Sequence, residues 1–346
     1  MSIKKLGIPY MGGKRNIAND LVNYILEHNP NTEYVYDLFG GGGSISFEFL
    51  QCSRIKKVIY NELNTGVCEL LKDVLENGVT EKYYEWVSRE TFHQYKNNND
   101  WYGGLIKTIW SFGSSQDSYI FGKEIEDYKK NYHLVVVNNI NKLKEMEDFC
   151  IDFVLKKYGI KQDLKLTMPI KKEYQERRLE IKQQLNAFEK KCKINQKNKA
   201  NAMNTLQQLQ NLNQLEQLQQ LQQLQQLQRL QQLQRLQQLQ RLEQLQILNK
   251  NYLDVVIDTP IKNTIIYLDP PYQNTGVYQE NIEYDILKDY IKKSPYKIYC
   301  SGYDMNLNCV FEIAKRCKLS AIASNKVIEK LYCNQSENIL KKKKLF

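Results

Sequence analysis

Asp269, Pro270, Pro271 and Tyr272 follow the apolar run at residues 265–268. Two prolines fix φ and bar helix at the residue before them, so this loop is stiff. Stiffness lets the Asp269 carboxylate and the Pro270 carbonyl converge on one point. Both are hydrogen-bond acceptors, and an exocyclic amine offers two N–H donors. Tyr272 adds a ring on which a nucleobase can stack, an interaction worth about 1–3 kcal/mol. A purely structural Pro-Pro turn is the plain alternative, and a second motif argues against it.

That motif is DLFGGGGSISF, residues 37–47. Glycines admit φ > 0 and let the backbone approach a ligand closely, and a helix opening behind them favours a negative group. The turn lies between an expected strand and an expected helix, the setting of a nucleoside-binding turn. Glu62, in YNELN, lies about 20 residues further on, where doubly wound sheets hold a ribose by its two hydroxyls. A helix-capping acid is the alternative for Glu62. The segment PYMGGKRNIA (9–18) sets a glycine pair between the aromatic Tyr10 and the cation Lys14. Alone it is a weak signal, equally readable as a helix cap with a solvent-facing lysine. Against a dehydrogenase, no hydride-transfer partner is evident.

These residues need a frame. EYVYDLF (33–39) reads as a buried strand, SISFEFL as a helix, KKVIYNE as a second strand and residues 64–75 as a helix. Strand, glycine turn, helix, and strand with an acid at its tip open a doubly wound sheet. KKEYQERRLEIKQQLNAFEKK, within residues 81–195, has helical character. Strands are expected again at YLDVVI (252–257), NTIIYLD (263–269) and KIYCS (297–301), with a terminal hairpin in KLSAIASNKVIEKLYCN turning at residues 324–326. The fold is thus interrupted, its sheet begun before residue 80 and finished after residue 252.

From Leu206 to Leu248 leucine recurs at every third position, with glutamine dominating between. On a helix each triplet advances about 300°, so the leucines spiral around the surface. Heptad spacing is absent. A long helix remains open, since Leu and Gln are good helix formers. A tight solenoid with one inward leucine per triplet fits the period better. A codon expansion tolerated on the surface is the third reading. The repeat carries no catalytic group.

The 346 residues have room for one large domain and a smaller one. A net charge of +10 and a pI near 9.0 favour a polyanionic partner, although Lys-rich codon bias gives the same balance. The lysine run 341–344 reads as a solvated tail or a phosphate contact. Eight scattered cysteines with no C-x-x-C pair exclude a zinc framework and a secreted disulfide array, and three separated histidines give no metal site. No apolar run reaches transmembrane length and no signal-peptide core opens the chain, so a soluble, cytoplasmic protein is expected.

Together the motifs resemble the Dam-type DNA adenine-N6 methyltransferases (the D12 class). That family has an Asp-Pro-Pro-Tyr loop, a D-x-F-x-G-x-G turn and an opening aromatic-x-G-G-K segment. Here they stand as Asp269–Tyr272, Asp37–Gly43 and Tyr10–Lys14, in the family's order. The match covers roughly residues 5–75 and 252–335, and EKLYCN (329–334) resembles the family's terminal hairpin. Glu62 stands where Asp is common and Tyr10 where Trp is frequent. WSFGSSQDSYIFGK matches the family's aromatic-Asn-Pro-Phe-Gly stretch only loosely, so no target site carries over.

The resemblance implies an α/β, Rossmann-like S-adenosylmethionine-dependent core with an inserted, mainly helical target-recognition region. It implies a core of residues 1–80 and 251–346, a DNA-binding region at 81–198, and the repeat as an insertion at 199–250. The activity implied is site-specific methyl transfer from S-adenosyl-L-methionine to N6 of a flipped adenine in double-stranded DNA, in a restriction–modification or phage setting. Asp269, Pro270, Pro271 and Tyr272 are the implied catalytic loop. Tyr10, Lys14, Asp37, Phe39, Gly40, Gly42, Ser44, Glu62 and Asp269 are the implied cofactor residues, with no metal and no membrane. Self-association through the repeat stays open. So do N6 methylation of RNA, against which the aromatic-x-G-G-K opening argues, and a non-catalytic DNA-binding or assembly role, against which the intact motifs argue.

Overall fold

A computed structural model describes residues 6–138, 174–199, 225–237, 239, 241–271, 282–302, 307–318 and 324–335. The chain divides into two compact units. One comprises Met1–Tyr83, Arg89–Ser118 and Arg229–Phe346, the other Tyr84–Ser88 and Tyr119–Gln228. The first thus reaches beyond the residues expected for the core and takes in 89–118 and 229–250 as well.

Among the described residues, seven strands of the first unit form one sheet. They are β1 (Tyr34–Asp37), β2 (Lys57–Asn61), β3 (Leu245–Leu248), β4 (Thr264–Leu268), β5 (Lys297–Gly302), β6 (Asn308–Lys318) and β7 (Ser324–Cys333). The order is β3-β2-β1-β4-β5-β7-β6. The first five run parallel; β7 is antiparallel to β5, and β6 to β7. The central strands are covered on both faces, which is why β4 reads as an uninterrupted run and is buried at every position. This mixed α/β sheet is consistent with a methyltransferase fold. From β1 the chain turns to β2 on one side and returns to β4 on the other, so a crevice opens at the carboxyl ends of β1 and β4.

Helices α1 (Ala18–His28), α2 (Ser44–Leu50), α3 (Thr65–Asn77), α4 (Arg89–Tyr95) and α5 (Trp101–Ile109) belong to this unit. Asn64 caps α3 by accepting from the Val67 amide, and Asp100 caps α5 by accepting from Gly103. The second unit holds α6 (Glu126–Asn138) and α7 (Tyr174–Lys199). Its interior gathers Tyr132, Val135, Ile181 and Leu185. There Trp86 stacks on Phe121, and His133 Nε2 lies 2.7 Å from the Tyr84 carbonyl oxygen.

Two sequence expectations change, and the readings left open for the leucine repeat narrow. The strand expected at 252–257 is a 3-10 turn at Tyr252–Asp254 followed by coil, and the edge strand lies earlier, as β3. Tyr252 and Val255 are buried in the core, which explains their apolar signal without strand geometry. The terminal hairpin exists, but Ser324–Lys326 belong to β7 and pair with Lys318–Arg316, so the chain reverses before residue 324. The described stretch Gln225–Leu236 of the leucine repeat is an α-helix, α8, not a solenoid. Leu227, Leu230, Leu233 and Leu236 are all buried although they sweep about 180° of the helix. Leu, Gln and Arg favour helix strongly enough to override a mismatched leucine period. The last repeats then leave the helix and become β3. Helix α9 (Tyr284–Lys293) follows β4.

Candidate active site

A cavity of about 620 Å³ opens at the carboxyl ends of β1, β2, β3 and β4, all within the first unit. Each strand delivers its next residues to the wall. β1 supplies Asp37, Phe39, Gly40 and Gly42, with Ser44 opening α2; β2 supplies Glu62; β4 supplies Asp269, Pro270 and Pro271. The amino-terminal segment lies over the glycine turn, with the Ile8 amide 2.8 Å from the Gly42 carbonyl, and brings in Tyr10 and Lys14. All the candidate residues except Tyr272 therefore line one cavity; Tyr272 lies outside the described residues.

The turn needs its glycines for two reasons. Gly41 and Gly43 sit at φ +48° and +73°, where other side chains are strained. At Gly40 a Cβ would lie 2.2 Å from the Tyr60 ring. That ring is buried under the turn and its hydroxyl donates to the Gly41 carbonyl over 2.7 Å.

The carboxylates are held individually. Glu62 accepts from the Gly41 amide at 2.8 Å, from the Asn64 amide at 2.9 Å and from the Tyr10 hydroxyl at 3.4 Å. Burial raises its pKa against those donors. Asp37 accepts from Ser46 Oγ at 2.7 Å through Oδ2, while its Oδ1 is buried with no hydrogen-bond partner. Burial, reinforced by the charges of Asp269 and Glu62, pushes the Asp37 pKa up to about 7. Asp269 is engaged by Lys14, whose Nζ lies 2.5 and 2.7 Å from its two oxygens. The lysine that the resemblance assigns to the cofactor thus sits on the carboxylate of the Asp-Pro-Pro-Tyr loop. The Pro271 carbonyl accepts from the Tyr284 hydroxyl, which ties the loop to α9.

Sequence reasoning missed part of the wall. Lys250, Asn251, Tyr252 and Leu253 follow β3, Ser115–Asp117 follow α5, and Ile282, Glu283 and Ile286 come from α9 and its approach. Asn61 joins two of these loops: its amide donates to Leu38 O and Lys250 O and its Oδ1 accepts from Lys250 N, at 3.0–3.1 Å. Asn249 donates to the Glu62 and Leu63 carbonyls at 2.7 and 2.9 Å. Reading β3 at residues 245–248 would have exposed this signal, because 249–253 then fall at a strand tip. Among the described residues no cluster of three or more His, Cys, Asp or Glu could hold a metal ion, and no helix is long and apolar enough to cross a membrane.

Glycine turn, strand-tip acid and a carboxylate beside two prolines open into one crevice at the strand tips, the place where open α/β sheets bind ligands. The chain matches the model of the D12 class N6 adenine-specific DNA methyltransferases over residues 10–346 and belongs to that family. It is an enzyme that methylates adenine N6 in DNA with S-adenosyl-L-methionine as methyl donor. No curated protein sequence matches the chain.

Proposed function

We propose that Asp269 and the Pro270 carbonyl hydrogen-bond the amino group of an adenine flipped out of duplex DNA, with Tyr272 stacking on the extruded ring. Tyr10, Lys14, Asp37, Phe39, Gly40, Gly42, Ser44, Glu62 and Asp269 form the methyl-donor side of the site. One observation carries the reading: Asp269 and Glu62, from strands on opposite flanks of β1, open into the same cavity as the glycine turn. The donor fits this lining. A buried Asp37 oxygen lacking a partner suits a cationic amino-acid group, and Glu62 suits ribose hydroxyls. When bound, the donor supplies a methyl already made electrophilic by its sulfonium.

The adenine N6 is a weak nucleophile because its lone pair is delocalised into the ring. Two acceptors fixed by a stiff loop pull the N–H hydrogens into place and return density to nitrogen. Extrusion from the duplex costs a few kcal/mol, which stacking and hydrogen bonding at the loop offset. The second unit is the proposed DNA-recognition region. Its long helix α7 carries eight Lys or Arg against three Glu, the charge a phosphate backbone attracts.

The test is Asp269→Asn. Labelled-methyl incorporation into duplex DNA should fall by at least about 10²–10³-fold, the scale of losing one preorganised polar partner. Most donor binding should survive, since the other donor-side residues remain. An active Asp269→Asn enzyme would remove Asp269 from the chemistry.

A further inference from the structure

Lys14 stands between two carboxylates. Its Nζ is within 2.7 Å of both Asp269 oxygens and 3.6 Å from Glu329 Oε1. The Lys14 and Glu329 side chains are 2% and 0% exposed, against 18% for Asp269. Glu329 lies on β7, the strand inserted antiparallel between β5 and β6, and opens the EKLYCN segment, but is not among the residues assigned to catalysis or to the cofactor. A carboxylate this deep on a strand is costly unless a cation compensates it, and Lys14 lies in ion-pair range.

We infer that Glu329 is a positioning residue for methyl transfer: it takes up the Lys14 ammonium when the adenine amine claims the Asp269 oxygens. The inference rests on the role proposed above for Asp269. A neutral amine is a weaker donor than an ammonium and competes poorly for an engaged carboxylate. The ammonium yields only if a second anion receives it inside the same dry site. Glu329 is that anion. A charged hydrogen bond forms at about 2.7–2.9 Å, so Nζ needs to move less than about 1 Å toward it. Lys14 keeps its protons in this shift; the proton that N6 sheds after methyl transfer leaves separately. The shift also draws positive charge away from N6 as that nitrogen becomes cationic in the transition state. Without Glu329 the Lys14–Asp269 pair tightens and the amine is excluded.

The experiment is a double-mutant cycle on the full chain, reading single-turnover methyl transfer to duplex DNA beside calorimetric donor affinity. Glu329→Gln, an isostere, should slow the chemical step by about tenfold or more, a barrier change of about 1.4 kcal/mol, with donor affinity unchanged. In a Lys14→Met background the same change should give no further loss, because the ammonium that Glu329 would receive is absent. A wild-type rate in Glu329→Gln, or an equal fall in both backgrounds, overturns the inference. If Glu329→Gln alone does not fold by circular dichroism, the comparison of Lys14→Met with Lys14→Met/Glu329→Gln decides. A double variant clearly slower than Lys14→Met then overturns it, because the loss would not run through Lys14. The Asp269→Asn enzyme separates the two claims: activity there defeats the Asp269 role itself, whereas an inactive Asp269→Asn beside a wild-type-rate Glu329→Gln defeats only the part given to Glu329.

Discussion

The Gly41 amide donates to Glu62 Oε2 over 2.8 Å, tying the glycine turn of β1 to the acid at the tip of β2. The other oxygen of the same carboxylate accepts from the Asn64 amide, at the cap of α3. Glu62 therefore shapes the turn as well as facing the cavity, and its loss should act on both.

Replacing Glu62 with Ala should weaken donor binding by roughly tenfold or more, since hydrogen bonds to a charged group are worth about 1.5–3 kcal/mol each. Glu62→Gln keeps one acceptor and should lose less. Calorimetric titration of the donor against the three proteins orders them. Equal affinity in all three would mean that the acid does not face the donor.

Asp37 makes the site sensitive to pH. Its pKa stands at about 7 in the fold, against an ordinary value of 3.8, chiefly through burial. The sign follows from linkage. A raised carboxyl contributes stability fully below 3.8 and loses it as pH climbs to about 7, because the folded chain must then release a proton it prefers to keep. Asp37→Asn cannot ionise, so its stability advantage over wild type should grow across that window and level off above it. Denaturant midpoints at about pH 5 and about pH 8 measure the difference. A cationic donor favours the ionised form, so binding near neutral pH should expel protons. Titrations in buffers of different ionisation enthalpy would detect them, and Asp37→Asn should abolish the release.

The two central motifs were readable for a physical reason. Parallel strands buried on both faces read as apolar runs, and β1 and β4 end abruptly in glycines or in Asp-Pro-Pro, which mark the strand tips where ligands bind. Strand β3 was not readable. LQIL continues a leucine triplet whose residues favour helix, and it becomes a strand only because Val58–Asn61 offer it an edge. The hairpin turn was misplaced for a similar cause: Ser324–Lys326 look like turn residues but are held extended by Lys318–Arg316 opposite. The segment that holds Glu329 was noticed, but its pairing with Lys14 was invisible because the two lie at opposite ends of the chain. Local pattern carries no record of such a pair.

The leucine repeat yields the last prediction. Two of its arginines, Arg229 and Arg241, serve helix ends of the first unit. Arg229 donates to the carbonyls of Ile109 and Ser111 at 2.6 and 2.7 Å, beyond the end of α5. Arg241 donates to those of Leu50, Cys52, Ser53 and Ile55, past the end of α2. Cations at helix carboxyl ends satisfy orphan carbonyls and complement the dipole. Arg241→Ala should therefore cost about 1.5–3 kcal/mol of stability, as for hydrogen bonds to a charged group. Leu233→Ala, at a fully buried position of α8, should cost about 2–5 kcal/mol. Both should also weaken donor binding, because β3 leads directly into Lys250, Asn251, Tyr252 and Leu253 of the cavity wall. Thermal unfolding and donor titration on each variant give the two readouts. Unchanged melting in both would return the repeat to the status of a tolerated expansion, with the sheet complete without it.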